Sequence, residues 1–321
     1  MPLSEFNIIE YFFKRGKNQR KDVLLGIGDD AALLKIPAKQ VLAISMDTLV
    51  AGIHFPKNTK PYDIGYKSLA VNLSDMAAMG ATPAWVSLAL TLPHANKSWL
   101  KKFAAGFFNL IEQYQLQLVG GDMTRGEQLT ITAQMHGFVP INKALTRQGA
   151  KPGDKIYVTG TLGDAGLVLQ LLRQPEYKIP SALLNRLNRP TPRVLEGLAL
   201  RNIATSAIDI SDGLSGDLTH ILKASHVGAT LWVDEIPISN NVAKLINAHK
   251  AIELALSSGD DYELCFTVPA NKEKQLLKAL AHHPCGIRCI GTIEKQQGLR
   301  LRYNNGKRFL TNKKSFQHFQ D

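Results

Sequence analysis

Apolar residues fall at positions 100, 103, 107, 110, 111 and 114 of SWLKKFAAGFFNLIEQY. That spacing lines one face of a helix over 98–114, with Ser98 as its N-cap. YDIGYKSLAVNLSDMAAM, 62–79, reads as a second helix, stopped by Gly80 and Pro83. VLAISM, 41–46, reads as a buried strand ending in Asp47. WVSLALTL, 85–92, and LTITAQMHGFV, 129–139, are further strands, and LQLVGGD is a strand entering a glycine turn. A polar run, NKALTRQGAKPGD, places a boundary near 140–152.

Beyond it, KIYVTG opens a new strand and GDAGLVLQLLRQ, 163–174, a helix after a glycine turn. AIDISDGLSGDLTHILKAS, 207–225, reads as strand, tight turn and helix. ATLWVDEI, LCFTV and IRCIGTI are strands, and NKEKQLLKALAHH, 271–283, is a helix. Strands and helices mix throughout without a fixed-period repeat. The expected fold is α/β (α+β) in two domains, 1–145 and 146–321.

Composition narrows the class. A chain of 321 residues that is 45% hydrophobic can bury two cores. The net charge of +11 raises nucleic acid as a partner. Yet the Lys and Arg are scattered, and no interleaved basic and aromatic motif is present. A basic surface attracting phosphate-bearing small molecules fits better. The N-terminus does not read as a secretory signal. The longest apolar stretch, near AAMGATPAWVSLALTL, is broken by Pro83 and is short for a membrane span. Three cysteines, Cys265, Cys285 and Cys289, form neither a zinc pattern nor a disulfide framework. A cytoplasmic protein is expected.

The chemistry lies in the acids. Asp29 and Asp30 follow Gly-Ile-Gly, Asp47 stands in SMDT, and Asp75 in NLSD. Asp122 closes GGD, Asp209 and Asp212 stand in DISDG, and Asp260 and Asp261 in SSGDDYEL. Any one of these reads as a turn or cap residue. Asp75 resists that reading, because it sits inside a predicted helix with no Lys or Arg near in sequence. Two carboxylates about 4 Å apart repel by roughly 4 kcal/mol at an effective dielectric near 20. Several converging acids therefore call for cations. Short, stiff Asp side chains suit Mg2+, which binds through a few carboxylates, waters and phosphate oxygens. That points to phosphoryl transfer. No Walker loop, dinucleotide fingerprint or protein-kinase signature is present, so the phosphates are expected to be held chiefly through metals.

GIGDDAALL, SMDTLVAGIHF, KSLAVNLSDMAAMGATP, GGDMTRG, TRQGAKPGDKIYVTGTLGDAGLVL, DISDGLSGDL and SGDDYEL, in this order, resemble the thiamine-monophosphate kinase family. The family lies within the aminoimidazole ribonucleotide synthetase-like superfamily, and the resemblance covers about residues 4–320. It implies ATP-dependent phosphorylation of thiamine monophosphate to thiamine diphosphate by direct transfer with several Mg2+ ions. It also implies a homodimer built through the N-terminal domains, with the C-terminal α/β domain completing the site. Position by position, it implies metal ligation by Asp30, Ser45, Met46 (through its backbone), Asp47, Asp75, Asp122, Asp209 and Asp212. Gly121, Asp122, Arg147 and Ser211 are implied ATP contacts. His54, Asp260 and Phe316 are implied acceptor contacts, and a carboxylate and an aromatic face suit a cationic thiazolium.

Two positions depart from the family pattern: Asp260 stands where Glu is usual, and Ser315 where Gly is usual. Both fall on the acceptor side. Within the superfamily, selenophosphate synthetase needs a reactive residue near the N-terminus, whereas the first Cys here is Cys265. The hydrogenase-maturation relative ends in a catalytic Cys, whereas this chain ends FQHFQD. A non-catalytic nucleotide- or nucleic-acid-binding protein is the alternative from another class.

Overall fold

The computed structural model describes residues 4–14, 20–174, 176–313 and 315–316. The chain divides into two compact units, one holding residues up to Met76 together with Ala81–Asn142, the other Ala77–Gly80 together with the chain from Lys143.

In the first unit, α1 (Glu5–Ile8) runs into a π-helical turn, Ile9–Phe13. Two short strands, β1 (Val23–Leu25) and β2 (Leu33–Leu34), pair antiparallel on either side of the GIGDD segment. β3 (Gln40–Val50), β4 (Thr82–Leu92), β5 (Gln117–Arg125) and β6 (Thr130–Pro140) form a sheet in the order β3-β6-β4-β5. β4 and β5 are parallel, and the other pairs antiparallel. The parallel pair is the one joined by a helix, α3 (Lys97–Gln113), as parallel geometry requires. α3 buries Leu100, Phe103, Phe107, Leu110 and Ile111, the face its sequence spacing marks. Its observed N-cap is Asn96, whose side chain accepts from the Trp99 N–H at 3.0 Å. α2 (Pro61–Ala78) is buried nearly all round: Leu69, Asn72, Leu73 and Ser74 have no exposed surface.

Two sequence expectations are corrected here. β3 is neither short nor buried. It runs 11 residues as an edge strand, and Val41, Ile44 and Met46 are 45%, 54% and 61% exposed. Ser45, Met46 and Asp47 therefore sit mid-strand, opposite Met135, Gln134 and Ala133 of β6. The glycines of GGD do not form a turn; β5 continues through Gly120, Gly121 and Asp122 to Arg125. The reason is a close approach. A Cβ on Gly121 would lie 1.9 Å from the Leu88 carbonyl oxygen of β4, so only glycine lets the two parallel strands meet there.

In the second unit a six-stranded sheet runs β12-β9-β11-β7-β10-β8. Its strands are β7 (Lys155–Thr159), β8 (Ser206–Asp209), β9 (Gly228–Trp232), β10 (Leu264–Val268), β11 (Ile287–Glu294) and β12 (Gly298–Arg302). Only β9 and β12 pair in parallel. The helices are α4 (Asp164–Leu171), α5 (Ser181–Asn188), α6 (Val194–Leu200), α7 (Leu214–Ser225), α8 (Asn240–Ala243), α9 (Ala248–Ser257) and α10 (Glu273–Leu280). One apolar cluster packs α7 and α9 against the sheet through Leu218, Ile221, Ala255, Ile156 and Ile208. A second joins α4, α5 and α9 through Leu167, Leu183 and Leu254. Among the described residues no helix is long and apolar enough to cross a membrane.

Candidate functional site

Sheet and helix bring two of the predicted acids together in the first unit. Asp47 lies on β3 and Asp75 on α2, 28 positions on, and their carboxyl groups are hydrogen-bonded to each other. Burial pushes the Asp47 carboxyl above the usual carboxylate range, and the Asp75 contact acts against that shift. The partner that a mid-helix Asp75 required is thus another acid. Beside Asp47, the Ser45 hydroxyl is buried without a hydrogen-bond partner. The Asn72 side-chain carbonyl oxygen, one helical turn before Asp75, is likewise buried and unpartnered. Unpaired oxygens and apposed carboxyls make a donor set suited to a hard cation.

A second group of predicted residues shares one cleft of about 540 Å³. Asp29, Asp30, Gly121 and Asp122 line its polar side, and Phe6, Ile9, Phe13, Leu88, Leu90 and Leu118 its apolar side. Asp30 and Asp122 are exposed. The Asp29 carboxylate accepts the Asp30 N–H at 2.9 Å, a turn-forming role that leaves Asp30 as the projecting acid. Asp122 accepts from the Thr124 hydroxyl at 3.2 Å. His54 is half-buried, and its Nδ1 accepts the Val50 N–H at 3.0 Å. That bond selects the tautomer with the proton on Nε2 when the ring is neutral.

The second unit joins Ser211, Asp212, Asp260 and Phe316 through backbone hydrogen bonds. β8 ends at the buried Asp209, and the turn 210–213 leads into α7. The Ser211 carbonyl accepts the Asp260 N–H at 2.8 Å, and the Ile210 carbonyl the Tyr262 N–H at 2.8 Å. The Asp212 carbonyl accepts the Phe316 N–H at 3.1 Å. Gly259 makes this possible, since a Cβ there would lie 2.1 Å from the Ser211 oxygen. Gly259, Asp260 and Tyr262 all have positive φ, at 69°, 59° and 50°. For Asp and Tyr this is strained backbone, of the kind that collects at functional loops. Phe316 leaves 49% of its surface exposed. Arg147 is exposed, and its carbonyl accepts the Ser225 hydroxyl at 3.1 Å. Burial lowers the His220 pKa, helped by the charges of Arg147 and Lys223 and opposed by Asp212.

Sequence reasoning missed the groups that hold this assembly. Asp217, 3% exposed in the first turn of α7, accepts the Asp212 N–H at 3.0 Å. Burial, with the charges of Asp209 and Asp212, pushes its pKa up to about 8 against backbone hydrogen bonds from Asp212 and Ser211. Glu263 has no exposed surface. It receives two bonds of 2.6 Å from Arg193, one of 2.9 Å from Arg186 and one of 2.6 Å from the Thr159 hydroxyl. Asp261, grouped with Asp260 in the sequence, turns away from it: both its oxygens accept the Gly163 N–H at 3.0 Å. An acid four residues after a DG turn, at a helix start, was the available signal for Asp217. Nothing in sequence spacing links Glu263 to Arg186 and Arg193.

Among the described residues no three His, Cys, Asp or Glu side chains converge closely enough to hold an ion by themselves. Any ion here must complete its shell with water, backbone or phosphate oxygens, the habit of Mg2+ rather than of a closed structural site.

Comparison with known proteins gives the same frame. Residues 28–139 match the family described as AIR synthase related protein, N-terminal domain, and residues 151–304 its C-terminal domain counterpart. A thiamine-monophosphate kinase of Escherichia coli (strain K12) is 49% identical over 324 aligned residues, covering 99% of each chain. This chain belongs to the thiamine-monophosphate kinase family. A more distant family member, from Aquifex aeolicus (strain VF5), is 32% identical over 99% of this chain and 98% of its own. The fold of the family is documented by the crystal structure from Stenotrophomonas maltophilia K279a. It superposes with a TM-score of 0.87 at 44% identity, covering 96% of this chain and 98% of that one. AaThiL complexed with AMPPCP and TMP superposes at 0.77 with 31% identity, covering 98% of this chain and 97% of its own. The fold is therefore the two-domain α/β (α+β) architecture of aminoimidazole ribonucleotide synthetase-like proteins.

Proposed function

We propose that the protein phosphorylates thiamine monophosphate to thiamine diphosphate, with ATP as phosphoryl donor and ADP as second product. Family membership supports the reaction. The observation that carries its placement is the 2.8 Å bond from the Asp260 N–H to the Ser211 carbonyl. It fastens an acceptor-contacting residue to a nucleotide-contacting one, the adjacency that direct transfer between two bound phosphates needs.

In this reading Asp30, Ser45, Met46 (by its backbone), Asp47, Asp75, Asp122, Asp209 and Asp212 hold Mg2+. The buried, unpartnered Ser45 hydroxyl and the apposed Asp47 and Asp75 carboxyls fit that role. Bound Mg2+ would neutralise phosphate charge and align phosphate oxygens. Gly121 lines the cleft beside Asp122, Arg147 offers a fixed positive charge, and Ser211 lies at the turn bearing Asp212. His54 presents its Nε2 side, Asp260 a carboxylate and Phe316 a half-exposed ring to the acceptor. The acceptor is already an anionic phosphate, so no separate base is assigned. Residues 1–145 serve as the metal, ATP and dimerisation domain, and residues 146–321 complete the ATP and substrate site. Homodimerisation through the first unit is supported by the exposed Val41, Ile44 and Met46 on edge strand β3. A cytoplasmic location accords with three free cysteines.

The test is chromatographic detection of thiamine diphosphate from ATP and thiamine monophosphate, with and without Mg2+. One ADP per product, dependent on Mg2+, is expected. Folded, nucleotide-binding protein that gives no product would refute the acceptor assignment.

A further inference from the structure

We propose that Asp217 is a positioning residue that shapes the nucleotide and metal turn without touching either ligand; this rests on the reading of Asp209, Ser211 and Asp212 given above. Asp217 is the fourth residue of α7 and is 3% exposed. An acid in a first helical turn ordinarily serves the helix's own N–H groups or its dipole. Asp217 does something else. Its Oδ2 accepts the Asp212 N–H at 3.0 Å. The donor lies in the turn before the helix. The side chains of this turn are the ones assigned to ATP and metal, while the Ser211 and Asp212 carbonyls hold Asp260 and Phe316. The backbone of 211–212 is thus pinned on two sides. Its carbonyls bond to the acceptor loop and the C-terminal segment, and the Asp212 N–H turns inward to Asp217. With the peptide planes so fixed, the Cα–Cβ bonds of Ser211 and Asp212 have one direction left to project. The Asp217 carboxyl is occupied with a backbone donor, and its buried position leaves its role as acceptor geometry rather than as a ligand.

Three variants separate acceptor geometry from charge. Asp217→Asn keeps an oxygen at the same reach and loses the charge. Asp217→Glu keeps the charge and moves it by one methylene. Asp217→Ala removes the acceptor. The readout is equilibrium binding of Mn2+ with a non-hydrolysable ATP analogue, followed by the free-Mn2+ electron paramagnetic resonance signal, on protein whose fold is checked by circular dichroism. Losing the Asp212 backbone hydrogen bond should weaken binding about fivefold to tenfold in Asp217→Ala, and Asp217→Glu should fall on the same side. Asp217→Asn should stay within about threefold of wild type. Asp217→Asn as weak as Asp217→Ala would overturn the proposal, since charge rather than geometry would then matter. So would variants that all bind like wild type. If Asp217→Ala does not fold, the Asn and Glu variants decide alone. Wild-type protein that fails to bind the Mn2+ nucleotide would sink the underlying reading, and the proposal with it.

Discussion

Replacing Asp75 by Asn should stabilise the protein and abolish its activity. Asp75 acts on the Asp47 carboxyl as a hydrogen-bonding neighbour, so the two groups are close. Two ionised carboxylates about 4 Å apart would repel by about 4 kcal/mol at an effective dielectric near 20. Without a cation the pair avoids this by keeping a proton. Burial, which raises the Asp47 pKa, favours the same outcome. A carboxyl whose folded pKa is raised binds more protons in the folded state. Its contribution is therefore intact at low pH and lost as pH rises through the folded value, by about 1.4 kcal/mol per unit. The amide introduced by Asp75→Asn would supply the shared hydrogen bond at every pH.

Metal-free Asp75→Asn should accordingly gain about 2 kcal/mol at pH 8, a rise of about 4–8 °C in melting temperature. The gap to wild type should shrink as pH falls from 8 toward the ordinary carboxylate range. Calorimetry in chelator, over a series of pH values, measures it. Adding Mg2+ should raise the wild-type melting temperature and leave the variant nearly unmoved, and turnover should fall by about a hundredfold or more with one bridging carboxylate gone. A variant that melts below wild type at pH 8 in chelator would show that the pair is not a strained, cation-seeking one. Near-normal turnover would remove Asp75 from the metal set.

Gly121→Ala should destabilise the first unit by about 1–3 kcal/mol or more, because its Cβ would meet the Leu88 oxygen at 1.9 Å and β5 must move off β4; a melting temperature equal to wild type would refute the close approach. Cys285 should alkylate about a hundredfold more slowly than a free thiol at pH 7.5, since burial and the neighbouring Glu196 carboxylate push its pKa up to about 12. Mass spectrometry after timed iodoacetamide treatment measures the rate, and fast labelling of Cys285 would contradict that environment.

The pattern of apolar positions carried α3 and most strands, because those elements have one buried face and one exposed one. It failed where burial is not one-sided. β3 was expected to stop at Asp47, since an acid looks like a strand end, yet an edge strand can carry an acid in its middle facing a helix. GGD was expected to turn, since paired glycines usually do, yet Gly121 is needed for strand contact. α5, α6 and α9 were not anticipated. α5 and α6 are only eight and seven residues long, and their buried Leu183, Leu187, Val194 and Leu200 are too few to set a period. Among the candidate site residues, the acids stood out in the sequence because Asp within Gly- and Ser-rich turns is a local signal. The groups that hold them were not. The bonds from Glu263 to Arg186 and Arg193 span 77 and 70 positions, and no local pattern encodes such a pairing.

The chain treats its buried acids in two ways, and the difference bears on the candidate site. Glu263 is surrounded by two guanidinium groups and a hydroxyl, and Asp164 by the hydroxyls of Thr161 and Ser239. Those acids are matched by the protein's own donors and can be fully structural. Asp47 faces Asp75 instead. Here acid meets acid, with Lys and Arg in excess over the chain as a whole. A fold under selection for stability alone would replace one member of the pair, because an isosteric amide removes the repulsion at no cost in volume. Stability is given up at this pair and not at the matched acids. The physical reason that fits is a positive charge absent from the polypeptide itself, and that is why the Asp75→Asn variant should be the more stable protein and the inactive one.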